Sequence, residues 1–99
     1  RYFKMISVKV LLIMEMASVV GQRDYNLTLP LGSSVIDLVR DMEDSFGEPL
    51  TTLLYQNHGG KKLKYSLLLN GRSIDFLDGL NTKLNDGDVL FFLPPASGG

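Results

Sequence analysis

A chain of 99 residues with 44% hydrophobic content holds one globular domain with a single modest core, read here as residues 1–99. Ten basic and eleven acidic residues leave a formal charge of -1, which offers no broad field to nucleic acid or to an anionic membrane. The absence of cysteine excludes a disulfide framework, a thiolate nucleophile and a cysteine-ligated metal, and it suits a reducing cytoplasm, the expected location.

Ile6 to Met14 is rich in β-formers and puts Ile6, Val8, Val10, Leu12 and Met14 on one face at period two. Lys9 and Glu15 interrupt the apolar stretch Met5 to Val20, and no small-x-small cleavage pattern follows it. The stretch therefore reads as a strand plus a loop and not as a signal peptide. After Gly21-Gln22-Arg23-Asp24, residues Tyr25, Leu27, Leu29 and Leu31 alternate with Asn26, Thr28 and Pro30. Pro30 cannot donate to a ladder, so this second strand is expected at an edge, paired antiparallel with the first.

Gly32-Ser33-Ser34 stops that strand, and Ser34 with Asp37 has the spacing of a helix capping box. Val35, Leu38, Val39, Met42 and Phe46 follow on one helical face, with Asp37, Arg40, Asp41, Glu43 and Asp44 mostly outside it. Gly47 is expected as a left-handed cap, with Pro49 barring continuation. Leu50, Leu53 and Leu54 fit one helical turn, and 56–64 reads as a glycine- and lysine-rich loop. Tyr65 to Leu69 is strand-like, and Asn70-Gly71 turns it back into Arg72-Ser73-Ile74. Asn85-Asp86-Gly87-Asp88 makes a second tight turn into Val89-Leu90-Phe91-Phe92-Leu93.

This order predicts an α+β fold, a mixed four- to five-stranded sheet with one main helix on one face. The last strand is apolar on both sides and belongs in the middle, parallel to the first. Because Val89, Phe91 and Leu93 alternate with Leu90 and Phe92, one set faces the helix. The other set either completes the core or emerges on the open face, and Leu11 and Ile13 join it in the second case. Phe91, Phe92, Leu11 and Ile13 are thus the candidate partner-binding residues.

The chain ends Pro94-Pro95-Ala96-Ser97-Gly98-Gly99. Two terminal glycines arise by chance in about 0.5% of chains at average glycine usage, and glycine is the worst choice for stability because it loses the most freedom on ordering. Residues 94–99 therefore read as a flexible functional tail. Extended, its six residues span about 20 Å, the proline pair stiffens the base, and Gly98 and Gly99 carry no Cβ.

The helix start Gly32-Ser33-Ser34-Val35-Ile36-Asp37-Leu38, the Leu69-Asn70-Gly71 turn, the Asn85-Asp86-Gly87-Asp88-Val89 entry and the Pro94-Pro95-Ala96-Ser97-Gly98-Gly99 tail resemble the MoaD/ThiS family of ubiquitin-like β-grasp sulfur carriers. The likeness covers nearly the whole chain from Met5, and the tail is most similar to that of the small subunit of molybdopterin synthase. Met16 to Asp24 departs from that subunit's pattern, lacking the Arg-Leu-Arg-Glu character that follows its first strand. The resemblance implies that a ubiquitin-activating-type adenylating enzyme uses ATP to activate the Gly99 carboxylate, and that a sulfur donor protein then yields a thiocarboxylate. It further implies a partner large subunit that holds the precursor, with Pro94, Pro95, Ala96, Ser97 and Gly98 inserted beside it. Such a chain is no enzyme by itself and binds no cofactor stably. Three other readings stay open: a thiamine-type or other-pathway sulfur carrier, a protein modifier joined to lysines through Gly99, and a plain interaction domain with an idle tail.

Other signals carry less. His58 is the only histidine and has no partner ligand in sequence, so no metal site is expected. Gly59-Gly60-Lys61 lacks the phosphate-loop spacing, and Lys61, Lys62 and Lys64 read as a solvated run. Asn26-Leu27-Thr28 matches a glycosylation sequon with nothing else to support secretion, and turn formation accounts for Asp86 and Asp88.

Overall fold

The computed structural model describes residues 4–55 and 62–96. The first strand, β1 (Met5–Leu11), alternates exposed and buried positions from end to end, as its period-two pattern dictates. It stops three residues short of the expected end. Met14 begins a helix, α1 (Met14–Val20), where a loop was expected, and does not extend the strand face. Met16 and Val20, four apart, supply its buried stripe, and Gly21 closes it at φ 90° with its N–H donated to the Ala17 carbonyl at 2.8 Å.

β2 (Asp24–Pro30) pairs antiparallel with β1 from Met5↔Pro30 to Leu11↔Asp24 and forms one edge of the sheet. Leu31 lies beyond it and is exposed, not on the core face. α2 (Val35–Phe46) opens on the expected capping box, in which the Asp37 carboxylate accepts from the Ser34 N–H at 2.9 Å. Those hydrogen bonds from Ser34 hold the Asp37 carboxyl below its ordinary value. Val35, Leu38, Val39 and Met42 are buried, so the helical periodicity places the intended face inward.

Gly47 ends α2 as expected, with its N–H donated to the Glu43 carbonyl at 2.8 Å, but not in the expected conformation. Its φ of 71° is positive, but ψ of -155° takes it out of the left-handed helical region. Its carbonyl accepts from the N–H groups of Leu50 and Thr51 at 3.1 and 3.2 Å, so it serves as the cap of α3 (Glu48–Leu54). Pro49 sits in the first turn of that helix, where its missing N–H costs nothing. The remainder is β3 (Ser66–Leu69), β4 (Arg72–Ser73), two 3-10 turns at Ile74–Phe76 and Gly79–Asn81, and β5 (Val89–Leu93).

The sheet order is β2-β1-β5-β3-β4. β5 lies in the middle, parallel to β1 and antiparallel to β3, as its two apolar faces require. One core cluster joins Ile6, Val8 and Val10 of β1, Leu90 and Phe92 of β5 and the inner face of α2, together with Met16 of α1 and Leu50 and Leu54 of α3.

Candidate functional site

β5 carries two of the candidate docking residues, Phe91 and Phe92. Leu90 and Phe92 are fully buried, Val89 and Phe91 half-buried and Leu93 exposed, so the odd-numbered set lies on the open face of the sheet. Phe92 is therefore a core residue and not a docking residue. Its orientation follows from register: Val10↔Leu90 and Leu67↔Phe92 align β5's even positions with the buried positions of β1 and β3.

Leu11 and Phe91 are register partners on β1 and β5, and Leu68 is the partner of Phe91 on β3. These three half-buried side chains make one apolar row across three strands of the open face. The sequence reading missed Leu68. Its signal was the alternation with Leu67 and Leu69, both buried, but that alternation acquires meaning only once β3 is set against β5. Ile13 leaves the row with the end of β1 and lies nearer the tail.

The start of β5 is fixed by side-chain bonds within its own turn, to β1 and to the β3–β4 turn. Asp86 accepts from the Ser7 N–H at 2.8 Å through Oδ1. Asp88 accepts from the Asn85 N–H at 2.7 Å through Oδ2 and from the Asn70 side-chain amide at 3.0 Å through Oδ1. Gly87, at φ 87°, donates its N–H to the Ser7 carbonyl at 2.8 Å. Asp88 is thus engaged in its own turn, as expected, and in the β3–β4 turn, whereas Asp86 is engaged against β1.

At its other end β5 runs into Pro94, half-buried, and then Pro95 and Ala96, both exposed. These residues line a groove of about 500 Å³ together with Ile13, Met14 and Leu93. Tyr65 lies at its floor, and burial together with the nearby Glu15 carboxylate pushes the Tyr65 hydroxyl above its ordinary value. Ser97, Gly98 and Gly99 fall outside the described residues, as do His58 and Gly59-Gly60-Lys61. Among the described residues no group of three His, Cys, Asp or Glu side chains is placed to hold a metal ion, and no helix is long and apolar enough to cross a membrane.

The sheet order, the single long helix and a central last strand leading to a diglycine are one arrangement, and the sequence model of the ThiS family matches it over residues 10–99. The chain belongs to the ThiS family. Small archaeal modifier protein 3 of Haloferax volcanii is 35% identical over 81 residues, covering 82% of this chain and 86% of that protein. The solution structure of small archaeal modifier protein 1 from Methanosarcina acetivorans is similar at TM-score 0.76 and 29% identity, covering 97% of this chain and 99% of that one. The solution structure of the Haloferax volcanii HVO 2177 protein is similar at TM-score 0.79 and 28% identity, covering 100% and 97%. The ThiS-family chain thus has the ubiquitin-like β-grasp fold expected from its tail and turns, and it belongs among the small ubiquitin-like carriers and modifiers.

Proposed function

We propose that this chain is a sulfur carrier whose reacting group is the carboxylate of Gly99. An adenylating enzyme binds ATP and the tail together; a carboxylate oxygen attacks the α-phosphorus, pyrophosphate leaves, and an acyl-adenylate forms. A carboxylate is a poor electrophile, and the mixed anhydride supplies the leaving group that it lacks. Hydrosulfide delivered by a sulfur donor protein then adds to the acyl carbon and AMP departs, leaving a thiocarboxylate. That group passes its sulfur to a small-molecule precursor, with molybdopterin synthesis as the leading pathway and the large synthase subunit as the partner that holds the precursor.

The observation that carries this reading is the family match, which runs through Gly98 and Gly99 in a chain whose central strand leads directly into Pro94-Pro95. The rigid sheet is a handle and the tail is the part that reacts. Catalysis belongs to the partners, and ATP is bound by the activating enzyme.

A second reading has its own support: two relatives, at 35% and 29% identity, bear the name of modifier proteins. In that case a lysine ε-amine on another protein attacks the same acyl-adenylate, AMP leaves, and an isopeptide bond forms. Intact-mass spectrometry of the protein isolated from its source cell separates the readings. The carrier shows a free chain heavier by the difference between sulfur and oxygen, and the modifier shows a lysine-linked conjugate. A protein carrying neither overturns both.

A further inference from the structure

Among the described residues only Met14 and Asn70 are non-glycine residues at positive φ, at 55° and 52°. Asparagine tolerates that region because its short amide can bond locally. Methionine has no such compensation, and Met14 is 72% exposed, so burial does not offset the strain. A glycine would be more stable there.

Its surroundings give the strained side chain a use. Met14 and the partly exposed Ile13 border the same groove as Leu93, Pro94 and Pro95. If Gly99 is the reacting residue, Ser97, Gly98 and Gly99 span at most about 10 Å beyond Ala96. A cleft that encloses the acyl carbon of Gly99 must therefore bring its mouth close to Pro94, Pro95 and Ala96, and so close to the Met14 and Ile13 that line the same groove.

Resting on the reading of Gly99 above, we infer that Met14 is a docking residue for the tail-activating enzyme. Its thioether seats on an apolar rim at the entrance through which the tail passes. Methionine suits this contact because it is unbranched and polarisable and adapts to an irregular surface. Glu15 and Lys64, which also border the groove, ask for a cation and an anion flanking that apolar rim.

The test is ATP–pyrophosphate exchange by the purified activating enzyme of the source cell, followed against carrier concentration for the wild type, Met14→Gly, Met14→Leu and Leu31→Ser, with melting temperature measured in parallel. Leu31 is an exposed hydrophobe whose N–H bonds the Lys4 carbonyl, ahead of the start of β1 and remote from the tail. Met14→Gly is expected to raise the half-saturating concentration roughly tenfold, with the maximal rate retained and the melting temperature unchanged or higher. Met14→Leu is expected to stay within about threefold of the wild type and Leu31→Ser to match it. Met14→Gly at the wild-type value, a loss that follows melting temperature, or no recovery in Met14→Leu overturns the docking role. Wild-type protein that supports no exchange overturns the reading of Gly99 itself.

Discussion

Asn70 and Val89 are joined by reciprocal hydrogen bonds: the Asn70 N–H donates to the Val89 carbonyl at 2.8 Å, and the Val89 N–H donates to the Asn70 side-chain oxygen at 2.9 Å. The amide oxygen stands in for the carbonyl that a longer β3 would have offered, while its nitrogen donates to Asp88. One side chain thus ties the β3–β4 turn to the first residue of the strand that leads to the tail.

Asn70→Ala removes both side-chain bonds and puts a less tolerant residue at positive φ. The expected loss is about 2 kcal/mol, from two hydrogen bonds of about 1 kcal/mol each. Urea unfolding of the variant measures it, and a change below about 0.5 kcal/mol would show that the bridge does not stabilise β5.

Phe91 and Phe92 are adjacent in sequence and lie on opposite faces of the sheet. Phe92→Ala empties a fully buried site and is expected to cost about 3–5 kcal/mol. Phe91→Ser is expected to cost less than half of that while weakening partner binding, because Phe91 lies in the open-face row with Leu11 and Leu68. Equilibrium unfolding and titration calorimetry against the activating enzyme read the two effects separately, and equal destabilisation by both would refute the assignment.

Tyr25 packs edge-on against Phe46 with ring centroids 6.3 Å apart, and its buried hydroxyl has no hydrogen-bond partner among the described residues. Burial first, and the Asp41 carboxylate second, push it up to about 12 from 10.0. In the unfolded chain the hydroxyl ionises near 10, so stability associated with Tyr25 is intact below that pH and falls as pH rises toward about 12. Tyr25→Phe is expected to be neutral or to stabilise by up to about 1 kcal/mol at neutral pH and to flatten the alkaline decline. Denaturant melts across that range test it; a clear loss of stability at neutral pH would show that the hydroxyl has a partner.

The tail makes the opposite demand, for change without loss of fold. Gly99→Ala, or one residue added after Gly99, is expected to leave melting temperature within about 1 °C, because β5 ends at Leu93 and the core lies behind it. Adenylation is expected to vanish, since the terminal carboxylate is displaced or a Cβ is added where the passage is narrow. Normal exchange with either variant would remove the terminal carboxylate from the mechanism.

Local chemistry was legible wherever the deciding neighbours are close in sequence. The capping box of Ser34 and Asp37, the inward stripe of α2, the Asn70-Gly71 turn and the bounds of β5 all depend on residues within a few positions of one another. α1 escaped because Ile6 to Leu12 sets a strand rhythm that Met14 happens to continue, while the helical spacing of Met16 and Val20 is only one turn long. Gly47 was legible as the end of α2, but its conformation and its second role escaped, because positive φ suits both a left-handed cap and the extended bend that starts α3.

From its residues alone the chain determined an α+β fold with a central, doubly apolar last strand followed by a proline pair and a diglycine, because periodicity, turn chemistry and composition are local properties. Only the tertiary structure decided that Phe91 and not Phe92 faces outward, that Leu68 completes its row, and that Met14 stands beside the tail. The first two depend on the register of β5 against β1 and β3, which pairing between strands far apart in the chain decides, and a shift of one residue would exchange the two faces of β5.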